Sequence, residues 1–137
     1  MNGKKFFDTN VLIYLYSNDE PEKRDKAVSL VEKTGGIIST QVINELINVL
    51  RRKFDIDYGR ITMAVRELEK VLHVSTVTGD TIHRALSIDS DTGYSWFDSL
   101  ILASAIESGC DVLYSEDMHH GHTVDGTITI ENPFIVK

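Results

Sequence analysis

A chain of 137 residues with 42% hydrophobic side chains and two prolines suits one packed domain, 1–137, and argues against disorder. Its 14 basic and 21 acidic residues leave a formal charge of −7, the wrong sign for a protein that grips nucleic acid by broad phosphate neutralisation. The single cysteine excludes an internal disulfide framework and suits a reducing, cytoplasmic setting, and no apolar run approaches a membrane span.

Lys4 to Asp8 reads as a first strand that ends on an acid. Two lysines before an apolar run give the N-terminus the outline of a signal peptide, but Asp8 and Asn10 interrupt it and no small-residue cleavage site follows. Thr9 and Asn10 then open a helix through VLIYLYS. A second helix fits Pro21 to Lys33, with Pro21 in its first turn and Gly35-Gly36 as its stop. GIIST supplies the second strand. In TQVINELINVLRRK, Val42, Ile43, Leu46, Val49 and Leu50 share one helical face, and Asp57 to Leu72 repeats that pattern. His73 to Val77 is a short strand or extended link, Thr78 to Ile88 a helix, and DSDTGYS a loop broken by Gly93. SWFDSLILASAIESG is apolar around nearly its whole circumference and reads as the most buried helix. DVLYS follows as a strand, EDMHHGHTVDG as a loop and TITI as a last strand. Cys110 lies in a short apolar run and reads as a buried, inert thiol. Strands alternating with helices predict an α/β fold with a mainly parallel sheet covered on both faces.

Four acids recur where strand passes to helix: Asp8, Glu45, Asp98 and Asp117. Each has an ordinary structural use. Asp8 can cap a helix. Glu45 can reach outward from the rim of an apolar face. Asp98 completes the S-x-x-D pattern of a capping box with Ser95. Asp117 repeats the placement of Asp8, an acid just past a hydrophobic strand, with Ser115 beside it to bond it or a substrate phosphate. Taken together they point to a shared divalent-cation site. Carboxylates beside apolar sequence are costly unless paired or metal-bound, and ligands of open α/β sheets lie beyond the carboxyl ends of strands. Glu116 is expected to point away, and Asp111 to be solvated at the other end of its strand. His119, His120 and His122 invite thoughts of zinc, but His-x-His in a glycine loop lacks softer ligands, so contact with a substrate or with solvent fits them better. His73 and His83 read as ordinary. Local cations for a nucleic-acid footprint are Lys4, Lys5, Arg51, Arg52, Lys53 and Arg60.

FFDTNVLIYLY, TQVINEL, Trp96-Phe97-Asp98 and ILASAIESGCDVLYSEDM, in that order, resemble the motifs of the PIN domain family, more narrowly the VapC-type toxin ribonucleases of toxin–antitoxin pairs. The matches span Phe7 to Asp117. The resemblance implies a three-layer α/β/α sandwich around a parallel sheet. It implies Mg²⁺ or Mn²⁺ held by Asp8, Glu45, Asp98 and Asp117, with Thr9 and Ser115 as polar support and Asn10 orienting the first motif. The expected reaction is metal-dependent hydrolysis of RNA phosphodiester bonds. The expected partners are RNA, a small antitoxin, and a second copy of the chain in a homodimer; Val11, Leu12, Tyr14, Leu15, Tyr16, Ile47 and Leu50 fit equally a groove for the antitoxin and the core. Rival readings are a catalytically silent PIN-like binding or assembly module and a PIN nuclease outside toxin–antitoxin systems. A receiver domain would want paired acids after the first strand and a late lysine, and an aspartyl phosphatase would want D-x-D; D-T-N and SEDMHHG supply neither.

Overall fold

The computed structural model describes residues 3–135. Its elements are β1 (Lys4–Phe7), α1 (Thr9–Ile13), α2 (Pro21–Thr34), β2 (Ile37–Ser39), α3 (Thr40–Arg52), α4 (Tyr58–Val71) and β3 (His73–Ser75). They continue through α5 (Gly79–Thr92), α6 (Trp96–Glu107), β4 (Cys110–Tyr114), β5 (Thr123–Val124) and β6 (Ile128–Glu131), and a single 3₁₀ turn covers Tyr14–Tyr16. The strands form one sheet in the order β3-β2-β1-β4-β6-β5, parallel except for β5 against β6. The expected α/β class and mainly parallel sheet are therefore present.

Burial explains the assignments. Phe6, Phe7, Ile38, Leu113 and Ile130 are fully enclosed, as a sheet covered on both faces requires. Residues Ser99 to Ala105 of α6 are all buried, matching its all-round apolarity. Helices α1, α3 and α4 pack in sequence on one another, while α5 packs on α6. Val11, Leu12 and Leu50 belong to this core with no exposed surface, so of the two uses the sequence left open, groove or core, they take the second. Tyr14, Leu15, Tyr16 and Ile47 remain half-buried at its edge. Cys110 is buried as expected, and desolvation pushes its thiol up to about 11.

Three sequence boundaries shift. The segment after Ile88 stays helical to Thr92, because Ser90 and Asp91 are solvent-exposed and need no core face. Gly93, at φ 76°, then ends the helix. The loop after β4 contains β5, turned into β6 by Asp125 and Gly126, both at positive φ. The third strand stops at Ser75, short of Val77.

Gly36 is fixed by close approach. A Cβ there would meet the Phe7 ring at 2.5 Å and the Lys5 carbonyl oxygen at 2.8 Å. Gly36→Ala is expected to cost about 1–3 kcal/mol by overpacking, seen as a lower melting temperature. A variant that melts with the wild type would refute this account of the β1–β2 contact.

Candidate active site

The chain order reverses between β1 and β4, so the crevice beyond their carboxyl ends is a topological switch point, where open α/β sheets leave room for a ligand. Asp8 directly follows β1, and Ser115 to Asp117 follow β4. Glu45 lies in the first half of α3, which leaves the carboxyl end of β2. Helix α6 feeds the start of β4, so its own first turn, with Asp98, lies back at this same edge. The topology thus gathers all four predicted acids.

Asp8 is only 5% exposed and caps α1, its Oδ1 accepting the Thr9 amide at 2.7 Å. Its Oδ2 accepts from the Ser115 hydroxyl at 2.9 Å and from Asn10 Nδ2 at 3.1 Å. Asn10 also accepts the Glu116 amide at 3.0 Å, which ties the segment after β4 to the first motif. Its Nδ2 also lies 3.4 Å from the Ser115 hydroxyl, so Asn10 bonds Asp8, Ser115 and Glu116 together. The Ser115 hydroxyl serves Asp8 and not Asp117, as the sequence had offered; it also accepts the Met118 amide. Despite three donors, burial first, then the charges of Asp98 and Glu45, push the Asp8 carboxyl up to about 7.

Glu45 Oε1 accepts the Thr9 hydroxyl at 2.5 Å, and its Oε2 accepts Gln41 Nε2 at 3.2 Å. Gln41 also donates to the Phe97 carbonyl at 3.0 Å, so it links α3 to the first turn of α6. Sequence reading missed this residue; its signal was the one-turn spacing from Glu45. Asp98 is half-buried, and its amide donates to the Ser95 hydroxyl at 3.2 Å; the return bond from the Ser95 amide to the Asp98 carboxylate, which the capping-box pattern predicted, is not formed. Desolvation, then the charges of Glu45 and Asp117, raise its carboxyl, while the Ser95 hydroxyl holds it down. Asp117 is exposed, unlike Asp8, so the two placements differ in burial.

The neighbours divide cleanly. Glu116 is engaged by other partners: it accepts Lys23 Nζ at 2.6 Å and the Tyr14 hydroxyl at 2.5 Å. Asp111, exposed at the other end of β4, pairs with Lys5 at 3.2 Å, which also places Lys5 far from the acids. His119 and His120 are exposed, and His122 is half-buried with its Nδ1 2.9 Å from the Tyr94 hydroxyl.

Among the described residues, none of the four acids forms a salt bridge. Nor do any three His, Cys, Asp or Glu side chains there converge into a ready cage for an ion. The donor chemistry still fits a hard cation. It is all oxygen, mutually repelling and unneutralised, and Mg²⁺ keeps several of its waters, so open carboxylates suit it better than a cage.

A PIN domain family model matches residues 5–123. No curated protein matches the chain in sequence. Among solved structures, a toxin–antitoxin complex from Klebsiella pneumoniae aligns with a TM-score of 0.74 at 19% identity, covering 97% of this chain and all of that one. The sarcin–ricin-loop-cleaving toxin VapC20 of Mycobacterium tuberculosis aligns at 0.65 and 24% identity, over 83% of this chain and 90% of that one. VapBC2 of Rickettsia felis, bound to a promoter DNA fragment, aligns at 0.67 and 16% identity, over 93% and 96%. The shared fold is common to all three. Among the described residues no helix is long and apolar enough to cross a membrane.

Proposed function

Because this chain belongs to the PIN domain family, we propose that it is a divalent-metal-dependent endoribonuclease and the toxin of a toxin–antitoxin pair. One observation carries the reading: a buried, unneutralised Asp8 shares the switch-point crevice with Glu45, Asp98 and Asp117, close enough for their charges to disturb one another. Such a cluster is unfavourable for an idle protein and useful for holding positive charge. Mg²⁺ or Mn²⁺ held by these four side chains would polarise water and a phosphodiester. The chain's own contribution is placement. Ser115 and Asn10 fix one oxygen of Asp8, Thr9 spans Asp8 and Glu45, and Gln41 sets Glu45 against the start of α6.

The toxin role is supported by the solved relatives, two of which are described as a toxin–antitoxin complex and a VapBC assembly. A small antitoxin is the partner proposed here, placing a basic side chain near the acids, and a second copy of the chain would form a homodimer. The test is RNA cleavage by the purified chain with and without EDTA. Cleavage should appear with Mg²⁺ or Mn²⁺, vanish in EDTA and return when the ion is restored. Absence of any cleavage across total RNA in either metal would favour the silent binding module; cleavage indifferent to EDTA would refute the metal dependence.

A further inference from the structure

Arg51, Arg52, Lys53 and Arg60 are all exposed where α3 ends and α4 begins, and among the described residues none forms a salt bridge. In a chain of formal charge −7 this corner reverses the local sign. Cations at a helix C-terminus complement its dipole, which accounts for Arg51, Arg52 and Lys53. It does not account for Arg60, which stands in the first turn of α4, where the dipole disfavours a cation. Nor does it explain Tyr58, which is 65% exposed while the Arg51 guanidinium sits 4.6 Å from its ring centroid. A flat aromatic with a stacked guanidinium presents two planar faces of the kind that nucleobases stack on.

The corner is held in shape. The Lys53 amide donates to the Val49 carbonyl at 2.8 Å and the Ile56 amide to the Leu50 carbonyl at 3.0 Å, with Asp55 between them at φ 52°. Asp57 then caps α4, accepting the Arg60 amide at 3.0 Å, so its carboxylate is engaged locally. The corner also opens onto the acidic crevice. Lys53 and Phe54 share a cleft of about 450 Å³ with Asn10, Tyr14 and the acids Asp19, Glu20, Glu116 and Asp117, so the phosphate-binding cations lie at its mouth, in the corner, and not along its length.

We propose that this corner docks single-stranded RNA, with Arg51, Arg52 and Lys53 on phosphates, Tyr58 stacking a base, and the strand leading toward the mouth of the cleft and Asp117. The proposal rests on the ribonuclease reading of that site. Single-stranded RNA fits better than duplex because stacking requires bases that are free of a helix.

The test is fluorescence anisotropy with a short labelled single-stranded oligoribonucleotide of mixed sequence, at low salt in EDTA. Tyr58→Ala should weaken binding about tenfold, the loss of one base stack. The double variant Arg51→Gln/Lys53→Gln should flatten the slope of log affinity against log salt by about 1.4, two phosphate contacts on a single strand. These side chains are exposed, and melting curves matching wild type would confirm that folding is kept. Unchanged affinity and slope in the variants, no wild-type binding, or displacement by polyglutamate as readily as by RNA would each overturn the docking surface. Cleavage, measured separately, keeps the two readings apart. A wild type that cuts RNA alongside variants that bind normally sinks only the surface. Variants that lose binding beside a wild type that cuts nothing sink only the ribonuclease.

Discussion

Asp8→Asn is expected to stabilise the metal-free protein at pH 8 far more than at pH 5. The folded Asp8 carboxyl titrates near 7 against an ordinary 3.8, so the folded state holds its proton more tightly than the unfolded chain. Below the ordinary value both states are protonated and nothing is lost. As pH rises toward 7 the unfolded chain releases its proton first, and stability falls; above 7 the loss is complete, about 4 kcal/mol. Of this, about 2–3 kcal/mol accrues between pH 5 and pH 8. An amide at this position keeps an acceptor for the Thr9 amide but presents an N–H₂ group toward Asn10, a mismatch of about 1 kcal/mol. That mismatch is the same at both pH values and cancels in the comparison. Melting curves in EDTA should therefore show the gap between variant and wild type widening by on the order of 5–10 °C from pH 5 to pH 8. A gap that does not change with pH would refute the claim that an unneutralised buried carboxylate lies at the end of β1.

Where the sequence was legible, one physical signal dominated. The all-round apolarity of α6, the one-faced pattern of α3 and the acids just past β1 and β4 each depend on local residue type, and the structure reproduces them. Two elements were misread where the local signal was weak or obscured. The polar end of α5 carries no core face, so periodicity gave no reason to extend it to Thr92. The hairpin of β5 and β6 was announced by Asp125-Gly126 but was masked by the histidine-rich run before it. At the site, residue types located the acids but could not assign their bonds. Ser115 turns to Asp8, 107 positions away, because β1 and β4 are adjacent and parallel. Gln41 and Lys23 act across elements, the first joining α3 to α6 and the second neutralising Glu116, and only the packed fold puts those partners together.

Asp98→Asn and Glu116→Gln should separate by about 10²–10³-fold in RNA cleavage, although both acids lie at the same edge of the sheet. Asp98 has no cation partner among the described residues, and its carboxyl is raised by burial and by Glu45 and Asp117, so its charge is held for something the folded chain does not itself supply. Glu116 has already spent its charge on Lys23 and Tyr14. Folding gives no reason for the Asp98 variant to fail. Its backbone amide donates to Ser95, which an asparagine keeps, and the asparagine side-chain oxygen can replace the carboxylate as the partner of the Ser95 hydroxyl. Removing one of several repelling charges should leave the melting temperature in EDTA equal or higher. The Asp98 variant should thus be folded, inactive and weakened in Mn²⁺ binding by calorimetry, while the Glu116 variant keeps most of its cleavage and its Mn²⁺ affinity. Equal losses in the two variants would mean that position at the sheet edge, and not an uncommitted carboxylate, governs the reaction. Full cleavage by Asp98→Asn would remove that acid from the site altogether.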